Sequence, residues 1–151
     1  MMENKIKAPI QWEETEQAGR GLVSWLNGWT DFPVGVLSVN YNHLSTDDVG
    51  MAVSPIQGGK IKQYIMGGYL AEYQFKLIYR VHPTDNDDRL KATEVLDRFG
   101  AWAEQNPEKP NLGDRAKVLE VKRDDCATLF APYQDGSEDY QILMTMTWEV
   151  M

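Results

Sequence analysis

The stretch from Tyr69 to Val81, YLAEYQFKLIYRV, constrains the fold more than any other. Tyr69, Ala71, Tyr73, Phe75, Leu77, Tyr79 and Val81 alternate with Leu70, Glu72, Gln74, Lys76, Ile78 and Arg80. Side chains on a strand point to opposite faces in turn, so one face here is apolar or aromatic throughout and the other is mixed. A strand this long, apolar on one face only, requires a sheet with one face covered. The last stretch has the same period, with Tyr140, Ile142, Met144, Met146, Trp148 and Val150 alternating behind the turn signal Asp135-Gly136.

Two segments have the helical period. From Glu13 to Asn27, Ala18, Leu22, Trp25, Leu26 and Trp29 fall on one stripe. The early glutamates suit the positive end of the helix dipole, and Asn27-Gly28 supplies a stop. From about Asp85 to Gln105, Ala92, Val95, Leu96, Phe99, Trp102 and Ala103 repeat at three and four residues. Strands are also expected at Val34–Tyr41, from Met51, at Lys117–Arg123 and at Ala127–Pro132, with a polar loop over Glu104–Asp114. The expectation is an α+β fold in which a mostly antiparallel sheet is packed by two main helices on one side. At 151 residues the chain is expected to form a single domain, 1–151.

Two Gly-Gly pairs, 58–59 and 67–68, bracket Lys60–Met66 and predict a hairpin arm with a turn at each end. Lys60, Ile61, Tyr64, Ile65 and Met66 on this ribbon either pack locally or lie across a neighbouring subunit as an oligomer interface.

No catalytic constellation emerges. His82-Pro83-Thr84-Asp85-Asn86-Asp87-Asp88 has the acids of a metal loop, but they are contiguous and the central Gly of a calcium loop is missing. Pro83 turns His82 away from helical geometry, while Thr84 or Asp85 is a good N-cap, so the cluster reads as a helix start. His43 and Asp47 have an acyltransferase-like spacing with Asp48 where a Gly belongs. Around Lys60 a phosphate-binding loop fails, because Ser54 and Ile61 occupy its defining positions. Glu72 and Glu120 as an acid–base pair have no support without geometry. Cys126 is the only cysteine and follows Arg123-Asp124-Asp125, whose carboxylates disfavour a thiolate. It excludes an internal disulfide, and no metal or cofactor is expected.

Twenty-three acidic against 15 basic residues give a net charge of −8 without a basic stripe. Sequence-specific nucleic-acid binding is therefore not expected. Met1–Gln11 lacks the apolar run of a secretory signal, and no segment is long and apolar enough to span a membrane. A cytoplasmic protein is expected.

Residues 67–104, GGYLAEYQFKLIYRVHPTDNDDRLKATEVLDRFGAWAE, resemble the minor capsid or tail-terminator proteins of tailed bacteriophages and prophages infecting Gram-positive bacteria. The shared features are the Gly-Gly start, the aromatic strand ending near Tyr79-Arg80, the Asp-rich turn, and the helix carrying Arg89, Ala92, Leu96 and Trp102. The order of the remaining elements extends the resemblance over most of the chain. It implies a fold similar to lambda-type tail terminators and a homo-oligomer, commonly a hexameric ring. That ring caps the tail tube and joins it to head-completion proteins, with no catalytic residues. It also implies assembly in the host bacterial cytoplasm and residence in the virion, with acidic side chains lining the channel. Two other readings compete. One is a small α+β ligand-binding or enzymatic domain with Tyr69, Tyr73, Phe75 and Tyr79 lining a pocket. The other is an immunity or regulatory module with one partner patch.

Overall fold

The computed structural model describes residues 8–44 and 49–151. Asp47 and its neighbours Ser45, Thr46 and Asp48 lie outside them, as do residues 1–7. Helix α1 (Trp12–Leu26) is followed by strands β1 (Val39–Tyr41), β2 (Gly50–Gln63) and β3 (Tyr69–Val81). Helix α2 (Asn86–Gln105) comes next, then β4 (Ala116–Arg123), β5 (Thr128–Pro132) and β6 (Glu138–Val150). The sheet has six strands in the order β1-β2-β3-β6-β4, with β5 also paired to β6. Only the β1–β2 pair is parallel. This is the expected α+β architecture, with both helices on one face.

The two alternating segments explain the centre of the sheet. β3 and β6 pair antiparallel without a break from Tyr69↔Val150 to Val81↔Glu138. Their apolar positions coincide across the pair, with Tyr73 against Met146, Phe75 against Met144 and Leu77 against Ile142. All of these are buried, and Phe75, Ile142, Met144 and Met146 are wholly so. Shifting either strand by one residue would turn every one of these side chains to the other face, so the pattern fixes the register.

The helices close this face through aromatic contacts. Trp29, just past α1, stacks on Phe99 of α2 with ring centroids 4.2 Å apart, and Trp25 stacks on Trp102 at 5.2 Å. Phe32 meets both Trp29 and Phe99 edge-on. The Trp25 indole N–H donates to the Glu108 carbonyl at 2.7 Å, which ties the 104–114 loop to α1.

Two expectations are corrected. The segment 34–38 is a turn, not a strand: the Val36 amide donates to the Pro33 carbonyl, Gly35 has φ +91°, and Val34 and Leu37 point to solvent. Only Val39–Tyr41 pairs, beside Met51–Val53. Asn27 sets this start, since its side-chain oxygen accepts from the Val39 amide at 2.7 Å while its NH2 donates to the Val39 carbonyl. The second correction concerns Gly58-Gly59, which form no turn. β2 runs straight through them with register shifts at Pro55/Gln57 and Lys60/Lys62. A Cβ on Gly58 would stand 2.9 Å from the Glu72 carbonyl, so the glycine serves close approach to β3.

Candidate functional site

The β2–β3 hairpin pairs from Gly50↔Arg80 to Gln63↔Tyr69 and closes over Tyr64–Gly68. Both glycines of the second pair have positive φ, +95° at Gly67 and +84° at Gly68, and both belong to this turn. The five interface candidates separate into two groups. Lys60 is held in the strand: its amide donates to the Ala8 carbonyl at 2.8 Å, and its ammonium lies 4.4 Å from the centre of the Tyr69 ring. Ile61 is half-buried beside it. Tyr64 is fastened to the last strand by its hydroxyl, which donates to Glu149 at 2.9 Å; that bond is the main reason its pKa lies above the usual phenol value. Ile65 and Met66 remain, 100% and 95% exposed at the tip. The segment therefore holds two anchored residues, Lys60 and Tyr64, a half-buried Ile61 at a register shift, and a two-residue apolar point.

A second feature lies on the outer flank of α1. A groove of about 840 Å³ runs beside Trp12, Glu16, Gly19 and Val23, with Ile10 and Tyr41 on its other sides. Trp12 is 71% exposed at its edge. Gly19 makes the floor: a Cβ there would come within 3.5 Å of the Tyr41 ring and 3.7 Å of the Tyr73 hydroxyl. That hydroxyl is buried and has no hydrogen-bond partner of normal geometry among the described residues. Burial and the neighbouring Tyr41 phenol push its pKa up.

The groove is not the pocket expected from the aromatic strand. Tyr69, Tyr73, Phe75 and Tyr79 all face the helices and are buried in the core, because the period-two pattern that marks them as one face also marks that face as covered. The sequence gives no signal for the groove. Its walls come from residue 10, one helix and a three-residue strand, brought together by the parallel β1–β2 pairing and by the Asn27 bonds to Val39.

The Asp-rich stretch is a helix start. The Asp85 side chain accepts from the Asp88 amide at 2.9 Å, and the Asp88 carboxylate accepts from both the amide and the hydroxyl of Thr84. These reciprocal bonds hold the Asp88 carboxyl below its usual pKa. Among the described residues no group of three or more His, Cys, Asp or Glu side chains is placed to hold a metal ion. Glu72 and Glu120 stand on strands β3 and β4, which β6 separates. Cys126 is exposed, and its amide donates to the Asp125 carboxylate. His43 lies at the end of a described segment, so its relation to Asp47 falls outside the described residues.

Among the described residues, the mixed face of the sheet carries a buried ion pair between Arg80 and Asp139. Arg80 donates to both oxygens of Asp139, at 2.7 and 2.9 Å, and the Tyr133 hydroxyl donates to the same carboxylate at 2.8 Å. The guanidinium also lies 5.0 Å from the Tyr133 ring centre. This cluster ties the β5–β6 turn to the end of β3. No helix among the described residues is long and apolar enough to cross a membrane.

No protein-family model matches the sequence, and no curated protein matches it. Among solved structures, the fold is similar to a chain in the virion of a native gene transfer agent particle. The TM-score is 0.50 and the identity 11%, over 93% of this chain and 95% of that one. A second solved chain, 15% identical over 95% of this chain and 97% of its own, has a TM-score of 0.46. The first likeness is one of fold.

Proposed function

We propose that this chain is a structural protein of a tailed-phage particle or prophage, a tail terminator or minor capsid component that works by assembly. One observation carries the reading: nearly the whole chain shares its fold with nearly the whole of a chain from a phage-like virion. The exposed Ile65 and Met66 support it, because an apolar turn held out from an anchored hairpin suits a subunit contact. In this reading residues 1–151 form one domain, and copies join into a closed ring of about six that caps the tail tube and meets head-completion proteins. The protein has no catalytic role, assembles in the bacterial cytoplasm and ends in the virion.

Charge fits the same reading. The two helices carry eight acidic and four basic residues, which is half of the net charge of −8. A ring with such a surface on its channel would let DNA pass without binding it. Light scattering over a range of concentrations, followed by negative-stain imaging, tests the assembly. Rings of about six copies are expected. A monomer or a closed dimer at every concentration would overturn the ring. In a solved ring, neutral or basic residues on the channel wall would overturn the acidic lining.

A further inference from the structure

We draw no further inference here: the strongest candidate, the apolar groove on the outer flank of α1, has its lining charges Glu16 and Arg20 paired with each other, and nothing in the structure shows what covers it.

Discussion

The Arg80–Asp139 pair gives the sharpest test of how the mixed face of the sheet is held. The two side chains are only 13% and 3% exposed, and Asp139 accepts three hydrogen bonds, two from the guanidinium and one from Tyr133. Arg80→Met keeps much of the aliphatic stem but removes two charge-assisted bonds, each worth about 1.5–3 kcal/mol. It also leaves a carboxylate buried with one donor. Breaking one side of a buried pair in this way costs about 3–5 kcal/mol. For a chain of 151 residues, about 2–4 °C of Tm per kcal/mol turns that into a fall of roughly 6–20 °C. Changing both partners, Arg80→Met with Asp139→Leu, removes the stranded charge together with the pair. The double variant is expected within about 1 kcal/mol of the parent, or more stable. Urea and thermal unfolding of the two single variants and the double complete the cycle. A single-variant loss below about 1 kcal/mol, or a double variant as unstable as the sum of the singles, would refute the stranded-charge argument.

Three further outcomes follow from other parts of the fold. Phe99→Ala empties the site between Trp29, Phe32 and Trp102 and should cost about 3–5 kcal/mol in chemical denaturation. Gly67→Ala meets only backbone strain at φ +95°, about 1–2 kcal/mol, whereas Gly68→Ala also sets a Cβ 2.3 Å from the Val150 carbonyl. Gly68→Ala should therefore be clearly the worse of the two; equal losses in urea titration would contradict the close packing of the turn on the last strand. Burial first, then the hydrogen bond to Glu138 and its charge, push the Tyr140 hydroxyl from 10.0 up to about 12. Because the folded value lies above the unfolded one, the neutral phenol stabilises the fold fully below pH 10, and that contribution disappears as pH rises to about 12. Tyr69 and Tyr73 shift in the same direction, so phenolate absorbance should rise together with unfolding in that window and not before it.

The start of α2 shows how far a local pattern reaches. Pro83 directs the chain out of β3, Asp85 caps the helix, and Asp88 returns the bond to Thr84. All the partners lie within five positions, so spacing and side-chain chemistry are enough to distinguish a cap from a metal loop. The segment Val34–Tyr41 shows the opposite. Its valines and leucine favour a strand, yet whether they form one depends on the edge of β2 and on Asn27, whose amide occupies both main-chain groups of Val39. A propensity is overridden when a distant group takes the hydrogen bonds a strand would need. The Gly58-Gly59 pair has a similar ambiguity: glycine permits either a turn or close strand approach, and only the position of the Glu72 carbonyl decides between them.

What the sequence determined by itself was therefore the set of elements with strong internal period. These are the span of β3, the two helices with their buried stripes, the last strand and the face each presents to the core. Burial of a periodic face is a local requirement, repeated residue by residue, and it can be read without knowing the partner. Only the tertiary structure decided the order of the strands, the parallel placement of β1, the Arg80–Asp139 pair and the groove beside α1. Arg80 and Asp139 are 59 positions apart, and the groove joins residues 10–24 to Tyr41. Such contacts depend on pairings across the whole sheet, and nothing in the spacing of their residues records that they meet.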